Sequence, residues 1–235
     1  MKTTDRKYAL TAGISIIIMA IAAAIAYGYI YSNLVVYDHP DLTFQNISLA
    51  ASMFKQGIAG WIIILITDVL VAWSLYLYLK PGNQKLAFTT ATIRMVYAGI
   101  LAVAIYHLIA ILPLTSTAGT TDSIALMNSH LESFKSTWSF GLILFGLHLI
   151  GLGVLVYLSD FIPRIWAVLL IFSGLSYFGI HAAKFLFPEY IGQVEQIEMI
   201  LSAPMAIGEV GFAVWLLIRG GKPLRTKTSV KAVAV

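Results

Sequence analysis

Residues 57–79 read GIAGWIIILITDVLVAWSLYLYL, and this run decides the class of the fold. A helix needs about 20 mostly apolar residues to cross the hydrocarbon core of a bilayer, and the run exceeds that length. Residues 80–83, KPGN, then supply a charge and the turn-forming residues that end a helix. The stretch therefore predicts a membrane-spanning helix, with the carboxyl group of Asp68 midway along it.

The chain contains six runs of this length and character: residues 8–31, 57–79, 86–112, 137–158, 163–187 and 199–219. Of the 235 residues, 59% are hydrophobic and only 11% are charged, whereas soluble domains average about 25% charged residues. The sequence thus predicts an all-α integral membrane bundle of six transmembrane helices. The first run is longer than the apolar core of a signal peptide, and we interpret it as a retained helix.

The basic residues fall on alternate sides of these six runs. By the positive-inside rule this asymmetry predicts that both termini are cytoplasmic. It also predicts a transmembrane domain over residues 1–221 and a basic cytoplasmic tail over residues 222–235, which would lie near anionic lipids. Of the 15 Lys and Arg residues, Lys55, Lys135 and Lys184 lie on one side, and the other twelve lie opposite: Lys2, Arg6, Lys7, Lys80, Lys85, Arg94, Arg164, Arg219, Lys222, Arg225, Lys227 and Lys231.

Composition and missing motifs exclude several kinds of chemistry. The chain has no cysteine, which rules out disulfides, thiolate metal sites and a cysteine nucleophile. It also lacks a phosphate-binding glycine loop, a His-Glu-x-x-His motif and a Gly-x-Ser-x-Gly elbow. Because the basic residues mark the ends of runs and form no patch, we do not expect nucleic acid as a partner. We expect no cofactor and no metal, and the sequence identifies no catalytic residue.

Four ionisable residues lie inside the predicted spans. Asp68, His148 and Glu209 lie midway along the second, fourth and sixth runs, which all cross the membrane in the same direction. At a rise of about 1.5 Å per residue they reach similar depth, and the long side chain of Arg94 could reach them from the third run. Buried charges in a bilayer are costly and usually face partners. We therefore predict a cluster of Asp68, Arg94, His148 and Glu209, which either binds a ligand or only pins the packing of the helices.

A second polar group is expected nearer the outer side. It contains His107 near the outer end of the third run, and His181 and Lys184 late in the fifth, with His107 and His181 at comparable depth. Two histidines from different helices lack the third ligand that a metal site needs. We therefore interpret His107 and His181 as polar lining or packing residues, and expect Lys184 to extend its amine to the interface.

The two long connections are predicted to lie on the outer side. Residues 42–54 read as an amphipathic stretch, and residues 124–134 read as a short helix that Asp122 or Ser123 would cap. Both could lie on the membrane surface or cover the mouth of the bundle.

Three stretches carry a resemblance to a known family. Residues 140–148, FGLILFGLH, residues 161–170, FIPRIWAVLL, and the segment that begins at Glu209 resemble a family of bacterial multi-helix membrane proteins known only as a domain of unknown function. Asp68 and Arg94 match positions at which that family tends to carry these residues. The resemblance implies a multi-pass protein of the cell inner membrane with no assigned activity. At His181 this chain departs from the polar or acidic residue expected there.

Three functions remain open at this point. The first is a module that binds or transports a small polar or amphipathic molecule, such as a lipid, through the four-residue cluster. The second is an assembly subunit that acts through contact with a partner membrane protein, and a homodimer is possible in either case. The third is a metal-dependent lipid hydrolase within the membrane, in which Asp68, His148 and Glu209 would supply ligands and a bound water would attack.

Overall fold

The computed structural model describes residues 3–221, so the predicted tail over residues 222–235 lies outside the described residues. Within the described range the chain forms helices and no strand. Six stretches are long and apolar enough to cross a membrane, which confirms the predicted all-α class and number of spans. The seven helices are α1 (Thr3–Ala23, extended by a π-helical segment, Ala24–Tyr31), α2 (Pro40–Leu49), α3 (Ala51–Leu79), α4 (Gln84–Ile111), α5 (Thr121–Tyr157), α6 (Arg164–Leu186) and α7 (Ile191–Ile218).

The six spanning helices form a closed ring. Each one packs against its neighbours in sequence, from α1 and α3 around to α6 and α7, and α7 returns to pack against α1. We call the end of the ring that carries the first and last described residues the terminal end, and the opposite end the distal end. The short helix α2 belongs to the distal end, where it packs against α5.

Glycines allow α5 and α6 to pack backbone against backbone. A Cβ atom on Gly146 would lie 2.6 Å from the amide nitrogen of Phe178, and one on Gly174 would lie 2.7 Å from the carbonyl oxygen of Gly146. Such distances leave no room for a side chain. These small residues therefore set the close approach of the two helices, as they do in many membrane proteins.

The contact between α1 and α7 is tight only towards the terminal end. The guanidinium of Arg6 donates hydrogen bonds to the carbonyl oxygens of Leu216, Leu217 and Gly220, at 3.0, 2.5 and 2.6 Å. It thereby caps the C-terminal end of α7, where backbone carbonyl groups run out of helical partners. Gly13 continues this contact, because a Cβ atom there would lie 2.8 Å from Leu217. Further along, the π-helical segment makes no extensive contact with α7.

The fourth span is longer than its sequence suggests. Instead of a short helix followed by a separate span over residues 137–158, α5 runs unbroken from Thr121 to Tyr157. Its N-terminal cap is Thr120, whose hydroxyl accepts a hydrogen bond from the Ser123 amide at 3.3 Å, so the prediction of Asp122 or Ser123 as the cap was wrong. Because no glycine or proline lies between Thr120 and Phe140, nothing interrupts the helix.

Two other predicted boundaries also shift. The last span begins at Ile191 and not near residue 199, because Glu195 and Glu198 are accommodated on its first turns by ion pairs to lysines of other helices. The amphipathic stretch 42–54 is divided, since α2 ends at Leu49 and Ala50 leaves helical geometry at φ −111° and ψ 36° before α3 begins.

Candidate functional site

Arg94 is the centre of a buried polar network inside the ring. Its Nη2 atom lies 2.5 Å from Oδ1 of Asp68, and its Nη1 atom lies 3.0 Å from Nε2 of His148. Asp68, Arg94 and His148 are 0%, 2% and 1% exposed. The structure thus brings together three of the four residues predicted to cluster, from α3, α4 and α5.

The hydrogen-bond partners of His148 show which of its ring nitrogens carries a hydrogen. Its Nδ1 atom lies 2.9 Å from the carbonyl oxygen of Thr90, which can only accept, so Nδ1 carries the hydrogen. Its Nε2 atom faces the guanidinium of Arg94, which can only donate, so Nε2 must accept. This pattern assigns His148 as a neutral imidazole. One carboxylate and one guanidinium then balance, and the Arg94 network (Asp68, Arg94, His148 and the Thr90 carbonyl) carries no net charge.

Met19 and Phe145 cover the Arg94 network on its distal side. Arg94 Nη2 lies 3.5 Å from the sulfur of Met19, and the guanidinium carbon lies 5.1 Å from the centre of the Phe145 ring. Among the described residues, Oδ2 of Asp68 and Nε of Arg94 are buried without a hydrogen-bond partner. The two charges are nevertheless paired with each other, and this geometry fits a role in packing.

A cavity of about 360 Å³ lies on the other side of Met19 and Phe145, in the interior of the ring. We call it the interior cavity. Its lining is mostly apolar and includes a few polar groups, which is the usual composition of small-molecule sites. All six spanning helices line it, through residues such as Met19, Trp61, Tyr97, Trp138, Tyr177 and Glu209.

Glu209 belongs to the interior cavity and not to the Arg94 network. In the described part of the chain, no basic side chain lies within 4.0 Å of its carboxyl group. The Tyr177 side chain is within hydrogen-bonding reach, and Arg94 and Asp68 act on it only through longer-range electrostatics. Glu209 retains exposed surface in the middle of a spanning helix because it faces the interior cavity. The predicted four-residue cluster is therefore divided into a paired trio and a separate carboxyl group.

A second polar group lies on the distal side of the interior cavity. Lys184 Nζ lies 2.5 Å from Oε2 of Glu198, and His181 Nε2 lies 3.6 Å from Oε1 of the same carboxylate. On its other side, His181 Nδ1 lies 2.8 Å from the Ser139 hydroxyl. His181 and Glu198 line the interior cavity, whereas Lys184, in the last turn of α6, is directed at Glu198. Glu198 thus has a cation beside it, in contrast to Glu209.

His107 lies apart from this group. Its Nδ1 atom is 3.3 Å from Nδ1 of His130 on α5, and it is not among the side chains that line the interior cavity. The prediction grouped His107 with His181 and Lys184 by depth alone, and could not anticipate a partner on the distal extension of α5.

The described side chains offer no metal site. Among residues 6–221, no three His, Asp or Glu side chains lie close enough to hold one ion. Arg94 lies between Asp68 and His148, and its positive charge occupies the position that a metal ion would need. The proposed ligand trio of the hydrolase hypothesis is therefore not assembled.

Sequence reasoning missed several residues of the interior cavity, notably Tyr97, Tyr177 and Glu198. Two signals could have found them. Tyr177 precedes His181 by four residues, and Glu198 precedes Glu209 by eleven, so each pair falls on one face of its helix. Met19 carries no such signal, because one methionine in an apolar helix resembles any core residue.

Comparisons with known proteins identify the family of the chain. The profile of the domain of unknown function DUF4386 matches residues 11–220. An uncharacterized protein from Archaeoglobus fulgidus is 32% identical over 166 residues, which cover 71% of this chain and 85% of the relative. No solved structure matches the chain. The chain therefore belongs to the DUF4386 family, which confirms the resemblance to a family of unknown function, and it is a multi-pass membrane protein.

Proposed function

We propose that this member of the DUF4386 family binds a small amphipathic molecule in the interior cavity. The observation that carries the proposal is the cavity of about 360 Å³, which lies within the ring and has Glu209 on its wall. A solid core would have argued for a purely structural bundle. At roughly 30 Å³ for each water molecule, the space corresponds to about a dozen waters, which is enough for a small ligand.

The two halves of the proposed site have different roles. Asp68, Arg94 and His148 hold α3, α4 and α5 in place below the cavity floor, with their charges satisfied by one another. Glu209 and Tyr177 present polar groups towards the bound molecule, and the aromatic and aliphatic walls contact its apolar part. Of the four residues that the sequence predicts to bind the ligand, Glu209 lines the interior cavity, and Asp68, Arg94 and His148 do not.

We place the route of the ligand between α1 and α7, which pack together more loosely beyond Gly13. Arg6 and Gly13 close this seam at the terminal end, whereas Ala20 and Ala23 face Ser202 and Ala206 across the cavity further along. A molecule could enter between these small side chains, either from the bilayer or from the distal end. If both ends open in turn, binding becomes transport.

The location and orientation are also proposals. The excess of Lys and Arg at the terminal end supports cytoplasmic termini and a position in the inner membrane, with the cavity opening away from the cytoplasm. We favour ligand binding over a partner subunit because the mostly apolar interior space carries a few polar groups, among them Glu209 and Tyr177. The exposed apolar faces have the composition expected of any lipid contact.

A neutral fluorescent amphiphile, N-phenyl-1-naphthylamine, tests the proposed function. Purified protein in detergent should bind it saturably at about one site per chain, with energy transfer from Trp61 and Trp138, which line the cavity. Ala20→Phe should abolish this signal by filling the cavity. The matched control, Ile21→Phe, changes the next residue, whose side chain is 56% exposed, and should bind like the wild type. Equal binding by both variants would contradict the proposal.

A further inference from the structure

The charges around the interior cavity indicate what kind of ligand it would accept. Arg94 is committed to Asp68, and Lys184 is committed to Glu198. Glu209 alone faces the space without a basic side chain of the described residues within 4.0 Å. A buried carboxylate is stable only with a positive partner or good hydrogen bonds. The interior cavity therefore lacks one positive charge, and a cationic ligand would supply it.

Aromatic rings form much of the wall of the interior cavity. Trp138 is in edge-to-face contact with Tyr27 and Trp61, with ring centres 5.0 and 4.8 Å apart. Two turns further along α5, Phe145 meets Tyr177 edge to face at 5.1 Å. All five rings line the interior cavity. The faces of such rings carry partial negative charge and attract cations, most strongly those that have few hydrogen-bond donors.

The remaining lining favours an apolar cation over a hydrophilic one. Ile16, Ile64, Leu142 and Val210 contribute aliphatic surface. Apart from Glu209, the polar groups that the described residues add to the lining are hydroxyls, indole N–H groups, the His181 imidazole and the carboxylate of Glu198, which is paired with Lys184. For a strongly hydrated ion such as a free ammonium, the free energy cost of dehydration would exceed the free energy gained from contact with these walls. A quaternary ammonium or a similar cation, whose charge is covered by carbon, is dehydrated at lower cost.

We propose that the interior cavity binds a hydrophobic organic cation, with Glu209 as its counter-ion, Tyr177 beside that carboxyl group and the other aromatic rings of the wall in contact with the rest of the molecule. This inference rests on the proposed function, because it names the class of ligand for the same cavity. It also explains why a carboxyl group is retained in the middle of a spanning helix without a cation from the protein.

Two probes of nearly the same shape test whether a positive charge on the ligand strengthens binding. Phenyltrimethylammonium carries a permanent positive charge, and tert-butylbenzene is its neutral counterpart with carbon in place of nitrogen. Binding of each to the purified wild-type protein is measured by Trp fluorescence and by calorimetry. We expect the cation to bind at least about tenfold more tightly than the neutral probe, since an ion pair and cation–π contacts together readily supply that factor.

Variants of Glu209 and Glu198 then show which carboxylate causes the preference for the cationic probe. Glu209→Gln, which keeps the shape, should remove the preference for the cation and leave binding of tert-butylbenzene unchanged. Glu209→Asp should keep most of the preference. Glu198→Gln is the matched control, because that carboxylate already has Lys184 as a partner, and its effect should be much smaller. Size-exclusion profiles and melting curves show whether each variant is folded.

The outcomes separate the two proposals. If the wild type binds both probes equally, or binds benzenesulfonate in preference, the cation inference is overturned while ligand binding in the cavity stands. If the cation preference is unchanged in a folded Glu209→Gln variant, the assignment to Glu209 is overturned. If neither probe binds and N-phenyl-1-naphthylamine does not bind either, the proposed function itself fails.

Discussion

Asp68 and Glu209 both carry a carboxyl group inside the ring of helices, and their surroundings differ. Asp68 is 0% exposed and lies 2.5 Å from the guanidinium of Arg94. Glu209 faces a cavity, and no basic side chain of the described residues lies within 4.0 Å. A charge that is compensated within the protein stabilises the fold, whereas an uncompensated one beside empty space is available to a ligand. Burial of an ionisable residue alone does not distinguish these roles.

Removing the cation of the paired site should have the largest effect on stability. Arg94→Ala leaves Asp68 as a buried charge without its partner, which typically costs about 3–5 kcal/mol. We expect a strong loss of folded protein, measured by thermal unfolding in detergent. Lys135→Ala is the control, because its ion pair with Glu195 is 3.1 Å long and exposed, and should cost less than about 1 kcal/mol.

The double substitution Asp68→Leu with Arg94→Met sharpens this result. It removes both charges together, and a buried ion pair can often be replaced by apolar residues at little net cost. Most of the lost stability should return. If Arg94→Ala were as stable as the wild type, the network would have no structural role.

An intermediate effect is expected at His148. His148→Leu removes the acceptor of the Arg94 Nη1 hydrogen bond and should destabilise the protein by about 1–3 kcal/mol. His107→Leu is the matched control, since its partner is another histidine in a half-buried position. Equal losses in the two variants, measured by the same melting curves, would mean that His148 contributes no more than an ordinary surface contact.

The smallest effect on stability is expected at Glu209. Glu209→Gln keeps the shape of a side chain that forms no close ion pair, so the free energy of unfolding should change by less than about 1 kcal/mol. Asp68→Asn, the same chemical change at the paired carboxylate, should cost several times more. A similar loss of stability in both variants would remove the distinction between the two carboxyl groups.

The sequence was sufficient for the architecture and for the inward-facing residues, but not for their grouping. Length and hydropathy define each span. Because a charged side chain is costly in lipid, Asp68 and Arg94 are required to face the interior. Depth along a helix, however, gives only one coordinate. Whether Glu209 points at Arg94 or at the interior cavity depends on the rotation of α7, which is set by contacts such as Gly208 against Ser173.

The distal helices were predicted less well for a related reason. A span predicted from hydropathy ends where polar residues begin. The helix α5 nevertheless continues through such residues, because their side chains are solvated and no glycine or proline interrupts that stretch. The empty volume within the ring was also beyond prediction. It depends on how the six helices diverge, including α1 and α7, both of which line the cavity beyond Gly13.

The central claim is that the interior cavity is open to molecules from outside while the neighbouring core is closed, and thiol labelling tests it most directly. The native chain has no cysteine, so single cysteines react without background. Ser202 lines the cavity, whereas Ser173, within one turn of the same depth, is 0% exposed. A cationic methanethiosulfonate reagent should label Ser202→Cys at least about tenfold faster than Ser173→Cys. Phenyltrimethylammonium should slow only the labelling of Ser202→Cys. Equal rates, with no protection, would contradict an accessible cavity and the function proposed for it.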